Sequence, residues 1–248
     1  MSLIKTKEEI LIMAEGGILL AGIVKKLEKM VKPGITTKEL DNTAEALIFE
    51  CGAKPSFKGY DGFPAALCVS INEEVVHGIP SKREIKEGDI VSLDLGLEYK
   101  GYHSDMAVTV AVGNISPRAQ ELIGITKKSL EAGINKVRPG RTLGDVGQAI
   151  EECAKAHGFS VVRELCGHGI GKELHEDPQV LNYREKGFDQ KIKTGMVFCL
   201  EPMLTIGDWN IKKSSDGYGF RTKDGSLSAH FEHMVVVTEK GCRVLTES

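Results

Sequence analysis

Apolar residues recur at helical spacing in four stretches of the chain, and each stretch is preceded by a residue suited to cap a helix. Thr6 with Glu9 and Thr36 with Glu39 are capping-box patterns, and Ser116-Pro117 supplies an N-cap followed by proline at the first helical position. Thr142 with Asp145 is a weaker relative, opening a segment that runs to about His157. These patterns predict four helices. Between them, the runs Ile90 to Leu97, Ala107 to Val112, Val197 to Leu200 and Met234 to Thr238 read as strands. The mixture of helices and strands puts the chain in the α+β class.

Alternation within two of these strands carries more information. If Ile90 to Val112 folds as a hairpin about Glu98 to Gly101, then Val91, Leu93, Leu95 and Leu97 share one face with Met106, Val108, Val110 and Val112. Asp94 and Asp105 then fall together on the other face, directly opposed. Opposed residues hold their Cβ atoms about 4.5–5.5 Å apart, a spacing at which two carboxylates repel unless a positive charge lies between them.

The chain also repeats itself. Val31-Lys32-Pro33-Gly34-Ile35-Thr36 is matched by Val137-Arg138-Pro139-Gly140-Arg141-Thr142, and Glu45 and Gly52 fall on Glu151 and Gly158 at the same offset. Gly88 to Asp94 aligns with Gly195 to Glu201, so each half carries an acid six residues after a glycine, and His103-Ser104-Asp105 is echoed by His230-Phe231-Glu232. Two such halves, dividing near residue 115, would pack across a pseudo-two-fold axis, each bringing two acids to the seam. One catalytic domain over residues 1–248 is therefore expected.

Composition narrows the partners. Of 248 residues, 32 are Lys or Arg and 35 are Asp or Glu, a formal charge of −3, which excludes a strongly basic nucleic-acid binder and gives no sign of sequence-specific nucleic-acid recognition. No apolar run approaches the roughly 18 residues needed to span a bilayer, and Lys5, Lys7, Glu8 and Glu9 interrupt any signal-like segment. The six cysteines form no C-x-x-C pair and read as reduced thiols. A cytoplasmic, membrane-free and monomeric protein is expected.

The chemistry follows from the acids. Glu201 sits in an apolar stretch that continues the strand from Val197 through Leu204, and Glu232 precedes the run Met234 to Val237; charges inside apolar strands are seldom fully buried unless paired or metal-bound. With Asp94 and Asp105 they make a −4 cluster, which two divalent cations would neutralise. His168, held in Cys166-Gly167-His168-Gly169-Ile170-Gly171, is a plausible fifth ligand because the flanking glycines let the backbone approach a ligand closely. Oxygen donors with one imidazole suit Mn²⁺, Fe²⁺, Co²⁺ or Zn²⁺. Two such ions about 3.5–4 Å apart share a bridging water and lower its pKa enough to make a nucleophile near neutral pH. Hydrolysis is the reaction class expected.

At this point five separated motifs resemble those of the type I methionine aminopeptidases. They are Asn72 to Pro80, Asp94 with Asp105, Gly167 to Gly171 running on through His175-Glu176-Asp177-Pro178, Leu200-Glu201-Pro202-Met203, and His230-Phe231-Glu232-His233. The likeness runs in order from about Ile4 to about Leu245. It implies the pita-bread fold, in which pseudo-two-fold related halves surround a curved antiparallel sheet. It also implies removal of the N-terminal methionine from nascent polypeptides with a small second residue, and a transient contact with the ribosome. The length leaves no room for the insertion of type II relatives or the N-terminal domain of the proline-specific ones. The remaining readings are an X-Pro dipeptidase on the same scaffold and a non-catalytic peptide-binding module.

Carried over residue by residue, the resemblance makes Asp94, Asp105, His168, Glu201 and Glu232 the metal ligands, with Asp105 and Glu232 bridging both ions. His168 and Glu201 complete one ion and Asp94 holds the other. Glu201 also matches the proton shuttle. His175 would stabilise the oxyanion and His77 would orient the scissile amide. Tyr60, Phe63 and Cys68 match one wall of the methionine pocket, Trp209 another and His77 its rim. Leu174 stands where an aromatic residue is frequent, and His230 where some members carry Gln. Trp209 lies in a stretch of about 20 residues by which the second half exceeds the first, and it is expected to act as a lid.

Overall fold

The computed structural model describes residues 3–247. Four α-helices occur among them: α1 (Lys7–Met30), α2 (Thr37–Glu50), α3 (Pro117–Ile134) and α4 (Leu143–Ala156). Each begins where its cap predicts. The Thr6, Thr36 and Thr142 hydroxyls accept from the backbone N–H three residues on, and Glu9, Glu39 and Asp145 reach back in return, while Ser116 caps α3 with Pro117 behind it. No helix among the described residues is long and apolar enough to cross a membrane.

The main sheet is antiparallel and nine-stranded. Its central path runs Ile90–Tyr99, Tyr102–Ala111, Glu232–Val237, Val197–Leu200, Gly167–Gly169 and Glu176–Val180. Strands from the two halves of the sequence thus meet at the pairing of Tyr102–Ala111 with Glu232–Val237. One face of this sheet is apolar. Leu93, Leu95 and Leu97, with Val108, Phe198, Leu200, Val235 and Val237, pack in a single buried cluster with Leu20 and Leu27 of α1, Leu40 and Ile48 of α2, Leu130 of α3 and Ile150 of α4. All four helices therefore lie against this face. Strand alternation sends the acids to the opposite face, which is free to line a site.

The repeat is visible in the backbone. Isolated bridges join Thr36 to Glu84 and Thr142 to Lys191, equivalent positions in the two halves. Ile85 donates its N–H to the Ile35 carbonyl and Ile192 to that of Arg141, each at 2.9 Å. The paired glycines match as well: Gly34 and Gly140 have φ of 90° and 88°, a region that a side chain would strain. This α+β architecture, a curled sheet with helices on one side and related halves, is the pita-bread fold.

Two strand expectations need correction. The hairpin turns at Lys100-Gly101, where φ is 51° and 81°, so Tyr99 pairs with Tyr102 and the register shifts by two residues. Asp94 is opposite Ala107 and Asp105 opposite Gly96. The acids are diagonal neighbours on one face and not a directly opposed pair. The apolar run through Leu204 also breaks at Glu201-Pro202: Val197–Leu200 stays in the main sheet, while Met203–Thr205 pairs in a separate three-stranded sheet. Proline has no N–H to continue a ladder.

Candidate active site

The site grows out of five adjacent strands. Ala107 is the Cα partner of both Asp94 and Glu232, so one row across the sheet carries an acid on each side of a small residue, and Asp105 stands two residues along from Ala107 on the same face. On the far side, His233 pairs with Leu200, which brings Glu201 beside Glu232. The Gly167–Gly169 strand joins next through Gly169 and Phe198, delivering His168. A Cβ at Gly169 would run into the Asp177 carbonyl, so the strand needs glycine there to close on its neighbour. Thr109 locks the two halves together: its hydroxyl donates to the His230 carbonyl at 2.8 Å and accepts from the His230 N–H at 2.9 Å.

Asp94, Asp105 and Glu232 are 7%, 4% and 3% exposed, and one ligand oxygen from each lies within 4.8 Å of the other two. His168 Nε2 is 3.6 Å from Glu201 Oε1, and its Nδ1 donates to the Gly169 carbonyl at 2.9 Å. That bond leaves Nε2 with its lone pair, the tautomer a metal ligand requires. Asn182 donates to the Glu201 carbonyl at 3.1 Å and steadies the break in the strand.

The charge balance points to a cation. Asp94 Oδ1 and Glu232 Oε1 are buried without a hydrogen-bond partner, whereas buried polar atoms are normally satisfied. Burial pushes the Asp94 carboxyl up to about 7. Burial and then the neighbouring carboxylates push Asp105, Glu201 and Glu232 well above the usual carboxylate range. His168 is driven down to about 3 by burial and by His175, so it is a neutral donor. Four crowded acids, two orphaned oxygens and a neutral imidazole fit divalent cations, and among the ion pairs of the described residues none joins a Lys or Arg to any of these acids.

These five residues open into a cavity of about 1100 Å³. Of the expected substrate residues, Tyr60, Phe63, Cys68, His77, Leu174 and His175 line it. His77 follows the Glu74–Val76 strand with φ of 58°, an unusual conformation for a non-glycine residue, and burial with nearby His175 holds its imidazole neutral. His175 Nδ1 lies 2.8 Å from the Tyr60 hydroxyl, and its ring meets that of His168 edge-on, centroids 4.4 Å apart.

Trp209 is placed elsewhere. It is absent from the cavity wall, 37% exposed, and its ring stands 5.7 Å from the Arg163 guanidinium. The extra stretch of the second half still reaches the cavity, through Tyr218 and Phe220, which the sequence did not single out. Tyr218 meets Phe63 edge-on at 5.6 Å and Phe220 meets His77 at 6.0 Å. Their position depends on the pairing of Phe220–Thr222 with the distant Glu74–Val76 strand, which no local pattern announces. Phe57 and Met203 also line the wall unforeseen.

A curled sheet whose inner face gathers acids and a neutral imidazole at the floor of a peptide-sized cavity defines a class, the metal-dependent hydrolases of the pita-bread fold. Comparison with known proteins narrows it: residues 12–239 match metallopeptidase family M24, and the chain belongs to that family. It is 46% identical to methionine aminopeptidase 1 of Bacillus subtilis over 246 residues, 99% of each chain. It is 43% identical to the methionine aminopeptidase of Escherichia coli, over 98% of this chain and 93% of that one. The crystal structure of methionine aminopeptidase from Thermotoga maritima superposes with a TM-score of 0.97 at 43% identity, covering 99% of both chains. A prolidase from Pyrococcus horikoshii shares the fold at 23% identity, with a TM-score of 0.81 over 99% of this chain and 64% of that one.

Proposed function

We propose that this chain removes the N-terminal methionine from polypeptides whose second residue is small, with two divalent cations held by Asp94, Asp105, His168, Glu201 and Glu232. The observation that carries the reading is the convergence of these five side chains from both halves of the sequence on one wall of the cavity. The relatives named methionine aminopeptidase, matched over nearly their whole length, support the substrate. We treat residues 1–248 as one catalytic domain acting on nascent N-termini.

When bound, the cations supply the positive charge that activates water and polarises the scissile carbonyl. Asp105 and Glu232 stand centrally in the row of acids and would contact both cations, with Asp94 on one flank and His168 and Glu201 on the other. Glu201, whose burial raises its affinity for a proton, takes one from the attacking water and hands it to the leaving amine. The Tyr60 hydroxyl donates to His175 Nδ1, leaving its Nε2–H as donor to the developing oxyanion. His77, fixed in its left-handed conformation on the wall that Phe220 completes, orients the scissile amide. Phe63, Leu174 and Cys68 give the methionine side chain an apolar, polarizable enclosure, to which the structure adds Tyr218 and Phe220.

Steady-state assays on Met-Ala-Ser and Ala-Pro with Mn²⁺ or Co²⁺ test this. Methionine release from the first peptide with no cleavage of the second is expected. Absence of methionine release in either metal contradicts the reading, and preferential cleavage of Ala-Pro makes the protein a proline dipeptidase.

A further inference from the structure

A buried thiol stands among the acids that the reaction leaves unused. Cys199 precedes Glu201 by two residues, so both side chains leave the same face of the sheet. It is fully buried, and its Cα partner is Met234, with Glu232 one step away along the same strand face. The pairing of Gly169 with Phe198 sets His168 against it from the other side. One donor atom each from His168, Cys199 and Glu232 lies within 4.8 Å of the other two. Glu232 Oε1 is buried with no hydrogen-bond partner. The trio thus gathers a sulfur, an imidazole nitrogen and a carboxylate oxygen closely enough for one cation to draw on all three.

We infer that Cys199 is a sixth metal ligand, used selectively by thiophilic divalent cations such as Co²⁺, Zn²⁺ and Cd²⁺. This rests on the metal-dependent reading above and extends its ligand set. On binding, the Cys199 Sγ–H bond breaks, its proton passes to solvent and an Sγ–metal bond forms, with no change of oxidation state. Ligands at ordinary Zn–S and Zn–N lengths lie roughly 3.5 Å apart around a tetrahedral ion, so a small side-chain adjustment closes the trio. Hard Mn²⁺ keeps to the carboxylates and His168, whereas softer ions are drawn toward the sulfur. Cys199 thereby sets which cations the site holds most tightly. The other thiol on the cavity wall, Cys68, pairs across from Asp94 yet belongs to no such trio among the described residues.

Absorption spectra recorded as metal-free protein is titrated with Co²⁺ test the assignment. The wild-type chain is expected to show visible d–d bands and a near-ultraviolet sulfur-to-cobalt charge-transfer band. Cys199→Ser and Cys199→Ala should keep the d–d bands and lose the charge-transfer band, while Cys68→Ser keeps both. Wild-type d–d bands without charge transfer overturn the role of Cys199 and leave the metal-dependent reading standing. Charge transfer that survives in both Cys199 variants overturns it equally. If no d–d bands form, the metal-dependent reading fails and this inference with it. The wild-type spectrum decides even if neither variant folds.

Discussion

Asp105→Ala is expected to abolish methionine release by destroying the metal site itself. Asp105 is 4% exposed, lies on the same sheet face as Asp94 and Glu232, and shares their 4.8 Å cluster. Its Oδ1 accepts a hydrogen bond from the Met106 N–H at 2.9 Å. Losing a group that merely supports a ligand costs roughly 10–100-fold in affinity or activity. Removing a ligand that the proposed mechanism shares between both ions should cost more than that, and calorimetric titration of the variant should show fewer bound ions than the wild type. An unchanged stoichiometry in Asp105→Ala would refute the bridging role.

The contrasting variant is His175→Ala. His175 sits at the cavity mouth, where Tyr60 fixes its Nδ1 and its ring edge meets His168, yet it has no place in the acid cluster. In the proposed mechanism it would stabilise charge that exists only in the transition state. kcat should therefore fall by about a hundredfold or more while metal stoichiometry stays at the wild-type value. Burial already holds its imidazole below the ordinary histidine pKa, so it donates as a neutral group and needs no proton uptake near pH 7. A fall in bound metal alongside the fall in kcat would make His175 a structural support of the site. The two variants thus separate holding the ions from using them.

The parts of this account that were legible in the sequence are those fixed by local chemistry. Helix starts are written in residues three apart, which is why Thr6, Thr36, Ser116 and Thr142 locate them. The repeat is legible because equivalent turns need equivalent glycines, as at Gly88 and Gly195, with φ of 90° and 85°. Alternation put Asp94 and Asp105 on one face correctly, since a slip of two residues preserves parity. It could not fix the register, because that depends on where the chain reverses, and the turn, with positive φ at Lys100 and Gly101, lies one residue further along than expected.

The pocket was less legible for a related reason. Its far wall forms when Phe220–Thr222 pairs with Glu74–Val76, residues nearly 150 positions away, so aromatic residues nearby in sequence offer no guide to which ring faces in. Trp209, a rare large residue in the right stretch, stacks near Arg163 instead, while Tyr218 and Phe220 take the cavity. The acid cluster was legible despite its dependence on tertiary structure because carboxylates in apolar strands demand a partner wherever they meet.

The most direct measurement is a calorimetric titration of the metal-free wild-type chain with Mn²⁺, repeated in buffers of different ionisation enthalpy near pH 6.5. Two ions should bind per chain, and protons should be released, because Asp94, with its pKa pushed up to about 7, and its neighbours Asp105 and Glu232, held well above the usual carboxylate range by burial, must give up protons to receive the cations. No binding, or binding without proton release, would contradict the claim that these buried carboxylates exist to hold a metal pair.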